Sequence, residues 1–143
     1  MLRFLLLRYL PLPKVIGPKT HRMVDYVTIG AFLGLGALWW KDKRRASIAA
    51  LANGLFVLGY VPFTDYDGNG EKPIAMFNHK KLDRIQVAMS ALAPKGLGFE
   101  GEPQARPFHV HALNQTLLLG MTRVEESEQS GGARKLRRRK RAA

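Results

Sequence analysis

Four blocks of apolar residues alternate with short polar segments along the chain. The blocks occupy residues 24–40, 46–63, 85–99 and 107–121. Asp25 is the single charged residue in the first two blocks, whereas Pro94 and Lys95 interrupt the third. A helix that crosses a bilayer needs about 20 apolar residues, with a range of about 17–25. The first two blocks reach this length and the others approach it with their flanks, so the pattern predicts four membrane-crossing helices.

A soluble four-helix bundle is the alternative interpretation of these blocks. A helix at a protein–water boundary carries a polar stripe at 3.6-residue spacing, and the first two blocks have none. Gly30, Gly34 and Gly36 would each weaken a helix in water by about 1 kcal/mol relative to alanine. In lipid, small residues such as the Gly30/Gly34 pair let neighbouring helices approach closely. The pattern therefore favours an all-α transmembrane bundle.

The charge of the chain is concentrated at its C-terminal end. The formal net charge is +12, and there is no cysteine for disulfides or thiolate metal sites. Residues 124–143 are polar, then glycine-rich, then basic, which predicts a disordered tail. Such a tail binds anionic lipid with about 1 kcal/mol per basic residue near the surface. It lacks aromatic residues for base stacking, so specific nucleic-acid recognition is not expected. The lipid-binding candidates are Arg134, Lys135, Arg137, Arg138, Arg139, Lys140 and Arg141.

The chain divides into three segments on this interpretation. Residues 1–19 form an interfacial segment, residues 20–123 the four-helix membrane domain, and residues 124–143 the tail. Lys and Arg are more numerous on the side of the two termini, which the positive-inside rule places in the cytoplasm. The basic hairpin at residues 41–45 opposes this orientation. The expected location is a bacterial inner membrane, crossed several times, with both termini cytoplasmic.

The chain also repeats itself with an offset of 58 residues. Residues 20–25, THRMVD, align with residues 78–83, NHKKLD, and both contain a histidine followed four residues later by an aspartate. At the same offset, Thr64 and Thr122 each end an apolar block. The two units, at about 20–64 and 78–122, are each predicted to be a helical hairpin. The bundle is thus expected to consist of two hairpins in parallel repetition.

A polar cluster follows from this arrangement. Residues four apart lie on one helical face, and the first and third helices run parallel, so both His/Asp pairs lie at the same, cytoplasmic, membrane edge. The end of the second helix reaches that edge as well. The candidate cluster comprises His21, Asp25, Asp65, His79 and Asp83, with Tyr26, Thr64 and Tyr66 in support.

Two interpretations of the cluster remain open. Imidazole and carboxylate groups suit zinc, iron or manganese, and a proton-handling site would use the same groups. The structural interpretation, which the sequence favours, is that each aspartate stabilises the first turn of a helix and each histidine completes a hydrogen bond. No cofactor is expected on that interpretation, although a divalent metal would fit the residues.

Two further motifs, an EF-hand-like segment and a pair of histidines, do not indicate a metal site. Residues 65–70, DYDGNG, match the start of an EF-hand loop, but the loop's final glutamate would be Met76 and Pro73 lies inside it. The segment is therefore interpreted as an Asp/Gly turn. His109 and His111 are two residues apart and face different sides of a helix, so we expect them to be interfacial groups at the outer edge of the fourth helix.

The residues at 20–26, 64–66 and 79–83 resemble those of small bacterial four-helix integral membrane proteins of the SPW-repeat type. Ala93-Pro94-Lys95 stands where that family has Ser-Pro-Trp. The resemblance covers about residues 18–123, and it implies an inner-membrane location and a four-helix fold. It implies no established activity.

Three functions are consistent with the sequence. The first is a non-enzymatic membrane protein that acts through helix packing, as a homo-oligomer or as an accessory to a larger membrane system. The second is a membrane metal-binding protein or oxidoreductase that uses the His/Asp cluster. The third is a soluble nucleic-acid-binding protein, which the apolar blocks disfavour.

Overall fold

The computed structural model of the protein describes residues 12–123, which form an all-α bundle of four helices. The helices are α1 (Pro18–Trp39), α2 (Arg44–Tyr60), α3 (Met76–Gly96) and α4 (Ala105–Met121). The predicted all-α class and number of helices are confirmed. Most of the predicted interfacial segment and the whole basic tail lie outside the described residues, as do the lipid-binding candidates Arg134 to Arg141.

All four helices begin before their apolar blocks, and α1 and α3 do so by more than one turn. α1 begins at Pro18, where the fixed φ of proline suits the first helical position, and Gly17 before it is extended. α3 begins at Met76, 58 residues after the start of α1, with Ala75 extended before it. The additional turns carry the histidines, and both His/Asp pairs are therefore helical, as predicted.

Pro94 and Lys95 interrupt the third apolar block of the sequence, but Pro94 does not end the helix. α3 continues to Gly96 and is closed by a Schellman motif, in which Phe99 N donates to Pro94 O (2.8 Å) and Gly98 N to Lys95 O (3.2 Å). Gly98 has φ of 72°, a conformation that favours glycine. The proline carbonyl thus accepts one of the bonds that end the helix.

The connection between α2 and α3 returns the chain to the start of α3. A short 3₁₀ turn, Val61–Phe63, leads into the two-residue strand β1 (Thr64–Asp65), which pairs in parallel with β2 (Ile74–Ala75). The Asp65 carboxylate accepts hydrogen bonds from the backbone N–H groups of Asn69 (3.3 Å) and Gly70 (2.6 Å). Residues 65–70 therefore form an Asp/Gly turn, as the sequence indicated.

The close approach of α1 and α2 depends on glycines other than the Gly30/Gly34 pair. A Cβ atom on Gly36 would lie 2.6 Å from the Leu51 side chain, and one on Gly54 2.9 Å from that of Leu33. A Cβ on Gly30 or Gly34 would meet nothing within 4 Å. The prediction that Gly30 and Gly34 form the close contact is wrong within the described residues, because they lie on an exposed face of α1.

The interior of the bundle is polar to an unusual degree. Between residues 12 and 123, fourteen polar or charged side chains are buried: His21, Asp25, Thr28, Ser47, Asn53, Thr64, Asp65, His79, Lys80, Asp83, Gln86, Ser90, Gln115 and Thr122. Apolar packing is concentrated at the opposite end of the bundle, where the ring of Phe108 packs in tilted and edge-on contacts against Phe32 and Phe99, with centroid distances of 5.3 and 5.4 Å. A second apolar group surrounds Ile29, Val57 and Met76.

The outer surface is correspondingly apolar. Every helix exposes large hydrophobic side chains: Met23, Val27 and Leu38 on α1, Ile48, Leu55 and Leu58 on α2, Phe77, Ile85 and Leu92 on α3, and Val110 and Leu113 on α4. Leu38 is 73% exposed and Met23 69%. Within the described part of the chain, one helical stretch, Arg44–Phe63, is long and apolar enough to cross a membrane.

Candidate functional site

Four ionisable side chains meet inside the bundle, near the start of α1 and α3. His21 and Asp25 lie one turn apart on α1, and His79 and Asp83 lie one turn apart on α3. Each offers one ligand atom, and these four atoms lie within 4.8 Å of one another. All four side chains are at most 1% exposed. We refer to these four residues as the His/Asp cluster.

The Nε2 atoms of both histidines point at the two carboxylates. His21 Nε2 lies 3.0 Å from Asp83 Oδ2 and 3.6 Å from Asp25 Oδ1. His79 Nε2 lies 3.2 Å from Asp25 Oδ2 and 3.2 Å from Asp83 Oδ2. His79 Nε2 is directed between the two carboxylates, and it has no hydrogen-bond partner of acceptable geometry among the described residues.

The Nδ1 atom of each histidine is hydrogen-bonded to a threonine hydroxyl. Thr122 Oγ1 lies 2.7 Å from His21 Nδ1, and Thr64 Oγ1 lies 2.9 Å from His79 Nδ1. The single hydroxyl hydrogen of each threonine is donated to a backbone carbonyl in the preceding turn, that of Leu118 or Tyr60. Each hydroxyl therefore accepts from the ring, so both histidines carry a hydrogen on Nδ1. In the neutral rings, the Nε2 lone pairs face the cluster.

Two tyrosines contact the carboxylates from outside. The Tyr60 hydroxyl donates to Asp83 Oδ1 (2.6 Å), and the Tyr66 hydroxyl donates to Asp25 Oδ2 (2.8 Å). Burial and the charge of Asp25 raise the pKa of Tyr66 above its ordinary value, so the phenol stays protonated and remains a donor. The carboxylates are thus oriented by neutral groups that contribute no charge.

The electrostatics of the cluster require positive charge at its centre. Asp25 and Asp83 bring two carboxylates into a site whose side chains are at most 1% exposed, and unpaired charge is strongly unfavourable there. Protons on the imidazoles or a bound cation can supply the positive charge.

The structure brings together six of the eight site residues predicted from the sequence and places the other two elsewhere. His21, Asp25, His79 and Asp83 form the cluster, and Thr64 and Tyr66 contact it directly. Asp65 is buried but accepts from the turn at residues 69–70, so its role in the cluster is corrected to one in the loop. Tyr26 is 48% exposed on the outer face of α1 and lies outside the cluster, so its supporting role is wrong.

Three residues that contact the cluster or its threonines were missed by the sequence argument. Tyr60 has the supporting role that was expected of Tyr26. It lies four residues before Thr64, a spacing of about one helical turn, which would have placed it on the same side as Thr64. Thr122 was noted as the repeat partner of Thr64, and that symmetry was the signal for its contact with His21. Lys80 is buried and its Nζ donates to the Thr122 carbonyl (3.2 Å). No sequence pattern distinguished Lys80 from neighbouring surface lysines.

A second polar layer lies beyond the cluster, towards the middle of the bundle. The Ser90 hydroxyl donates to Asn53 Oδ1 (2.8 Å), and the Gln86 side-chain amide lies 2.6 and 2.9 Å from His111 Nε2. The expectation that His111 lies at the outer edge of the fourth helix is wrong, since its ring packs edge-on against Phe32 at 4.9 Å. These polar pairs join α3 to α2 and to α4 inside the bundle.

Comparison of the chain with models of protein families, with curated proteins and with solved structures gives no match. The similarity to SPW-repeat membrane proteins therefore stays a prediction that rests on the quoted residues.

Proposed function

We propose that the protein is an integral membrane protein that binds one divalent metal ion in the His/Asp cluster. The observation that carries the metal assignment is the convergence of two imidazole Nε2 atoms and two carboxylates within 4.8 Å, fully buried.

The membrane assignment is supported by the inverted distribution of polarity. Apolar side chains as large as Leu38 and Met23 are more than two-thirds exposed, while aspartates, histidines and glutamine are buried. In water such a chain would expose apolar area and bury charge, both of which are unfavourable. In a bilayer the outward residues contact acyl chains, and ionisable groups face the interior and pair with one another. All four helices expose apolar residues, which fits a continuous lipid boundary.

The same arrangement supports the proposed sidedness. The termini of the described segment and the loop between α2 and α3 lie at the end of the bundle that holds the His/Asp cluster, as the contact of Arg123 N with Ile16 O indicates. With the excess of Lys and Arg on that side, the positive-inside rule places this end in the cytoplasm. We also propose that the two hairpins are repeats, since α3 begins 58 residues after α1 and each histidine contacts the opposite hairpin's threonine.

The metal assignment is supported by charge and by hydrogen bonding. The two carboxylates carry a charge of −2, which one divalent cation balances, and zinc, iron and manganese all accept imidazole and carboxylate ligands. Two protonated imidazoles would balance the charge equally well. His79 Nε2 lies 3.2 Å from an oxygen of each aspartate, so a single atom faces both carboxylates. A lone pair aimed between two carboxylates suits a metal ligand.

The chemistry available to the site is binding, and through binding the joining of the two hairpins. α1 supplies one His/Asp pair and α3 the other, so a bound ion links residues that are 62 positions apart, such as His21 and Asp83. The purely packing or accessory role that the sequence favoured would use the same contacts without an ion. The two functions therefore differ in one measurable quantity, the metal content.

The test is metal analysis of the protein purified in detergent without chelator, together with the ability of chelator-treated protein to take up Zn²⁺, Fe²⁺ or Mn²⁺. We expect about one ion per chain, lost in His21→Ala/His79→Ala. His109→Ala is the matched control, because His109 lies outside the cluster. Protein without stoichiometric metal that also takes up none would overturn the metal assignment and leave the packing role.

Membrane association is tested separately by fractionation with a high-salt wash and by topology reporters fused at the C-terminus and at Asp42. We expect the protein to stay in the membrane fraction, with the C-terminus cytoplasmic and Asp42 on the opposite side. Recovery as a monodisperse protein in buffer without detergent would overturn the membrane assignment.

A further inference from the structure

The oxygens of the two carboxylates are not equally available to a metal ion. Asp83 Oδ1 accepts from Tyr60 at 2.6 Å, while Asp83 Oδ2 faces both histidines at 3.0 and 3.2 Å. Asp25 Oδ2 accepts from Tyr66 at 2.8 Å, and Asp25 Oδ1 is the oxygen nearer His21. A bidentate carboxylate would need both oxygens, so the tyrosines favour one oxygen from each aspartate.

We infer that Tyr60 and Tyr66 hold both aspartates monodentate and so make the cluster a closed, four-coordinate site that selects ions of the Zn²⁺ class. This inference rests on the proposed metal-binding function and specifies its ligand. The ligand set is then two imidazole nitrogens and two carboxylate oxygens. Zn²⁺ in structural sites takes four protein ligands in this way.

The distances within the cluster match this coordination number. A tetrahedral ion with bonds of about 2.0–2.1 Å has ligand–ligand edges of about 3.3–3.4 Å. Asp83 Oδ2, which is free of tyrosine, lies 3.0 and 3.2 Å from the two imidazole Nε2 atoms. Asp25 Oδ1, the tyrosine-free oxygen of the other aspartate, lies 3.6 Å from His21 Nε2. These three separations lie on either side of the tetrahedral edge, which is consistent with four-coordinate binding.

The same arrangement disfavours the hard cations. Ca²⁺ takes six to eight oxygen ligands and Mg²⁺ needs six in a near-ideal octahedron, usually with several waters. The cluster offers two carboxylate oxygens that are free of tyrosine, and its side chains are at most 1% exposed, so added waters would have to displace packed groups. Selectivity therefore follows from the number of available oxygens and from burial.

The two tyrosines do not follow the repeat that relates the two His/Asp pairs. The positions 58 residues after Tyr60 and Tyr66 are Leu118 and Val124, so both phenols come from the first hairpin and its following loop. One hairpin thereby orients the carboxylates of both. Tyr60 and Tyr66 are positioning residues, since they act on the ion through the aspartates.

The test is Co²⁺ substitution of the chelator-treated full-length protein in detergent, followed by visible absorption spectroscopy. Four-coordinate Co²⁺ absorbs visible light far more strongly than six-coordinate Co²⁺, so we expect the intense spectrum for the unmodified protein. Competition titrations should show Zn²⁺ and Co²⁺ bound in preference to Mg²⁺ and Ca²⁺. In Tyr60→Phe and Tyr66→Phe, Zn²⁺ affinity should fall by about 10–100-fold, as for other outer-shell changes, and the Co²⁺ bands should weaken.

Tyr26→Phe is the matched control, because Tyr26 is half-exposed on the outer face of α1 and should leave spectrum and affinity unchanged. A six-coordinate Co²⁺ spectrum in the unmodified protein would overturn this inference while leaving metal binding intact. Tyrosine variants with unchanged spectrum and Zn²⁺ affinity would do the same. Failure of the unmodified protein to bind any divalent ion would overturn the proposed function as well.

Discussion

The substitution Asp83→Asn tests the metal assignment most directly. Asp83 is fully buried, and its Oδ2 atom lies closest to the two histidine Nε2 atoms, at 3.0 and 3.2 Å. Asparagine retains the size of the side chain and can still accept from Tyr60, but it reduces the charge of the ligand set from −2 to −1. A divalent ion in the variant would leave an unbalanced positive charge in a buried site, which is strongly unfavourable.

The magnitude follows from comparison with residues outside the ligand set. Replacing an outer-shell residue already weakens metal affinity by about 10–100-fold, so loss of a charged ligand should weaken it by at least 100-fold. With free Zn²⁺ at about 1,000 times the dissociation constant, binding stabilises the unmodified protein by about 4.1 kcal/mol. A 100-fold weaker site at the same Zn²⁺ concentration retains about 1.4 kcal/mol. The stabilisation conferred by the ion should therefore fall by about 2.7 kcal/mol.

The assay compares the unfolding of each variant in detergent with Zn²⁺ and with chelator. Taking the difference within each variant removes any change that the substitution makes to the ion-free protein. Asp42→Asn is the control, because Asp42 lies in the exposed hairpin between α1 and α2 and should retain the full increment. If Asp83→Asn retains the increment of the unmodified protein, Asp83 does not bind the ion and the proposed ligand set is refuted.

Two further predictions concern helix packing and the threonines. Gly36→Ala should lower the free energy of unfolding by about 0–2 kcal/mol, because overpacking of about 1–3 kcal/mol exceeds the gain of about 1 kcal/mol in helix propensity. Gly34→Ala, which meets open space, should be neutral or stabilising, and equal effects of the two in thermal unfolding would contradict the packing described. Thr64→Val should reduce Zn²⁺ affinity by about 10–100-fold through loss of the Nδ1 acceptor, while Thr64→Ser retains affinity. Thr116→Val is the control, since the Thr116 hydroxyl also donates to a carbonyl of the preceding turn but lies outside the His/Asp cluster. An equal loss of Zn²⁺ affinity in Thr116→Val would indicate a general effect on helix stability.

Much of the candidate site followed from sequence because it depends on local spacing. A histidine and an aspartate four residues apart share a helical face whatever the tertiary structure, and the repeat placed Thr64 at the same end as both pairs. Asp65 was misassigned because adjacent residues of an extended strand point to opposite sides. Tyr26 was misassigned for the related reason that consecutive helical residues differ by roughly 100°, which turns Tyr26 away from Asp25.

The helix contacts were less accessible to sequence reasoning. α1 is apolar on nearly every side, so no polar stripe indicates which face meets α2. Gly36 and the Gly30/Gly34 pair lie on opposite sides of the helix, at roughly 200° for a difference of two residues, and composition favoured neither. The identity of the packed glycine is decided by Leu51 on the neighbouring helix, which is information that only the assembled bundle contains.

The packed rings of Phe32, Phe99 and Phe108 give the bundle two unlike ends. A hydrated ion passing between these rings would lose its water without gaining polar partners, which is strongly unfavourable. Thr64 and Thr122, which are both buried, lie at the other end of the bundle beside the His/Asp cluster. On the proposed metal assignment, an ion in the cluster would exchange through that end, and its occupancy would follow the metal concentration on that side of the membrane.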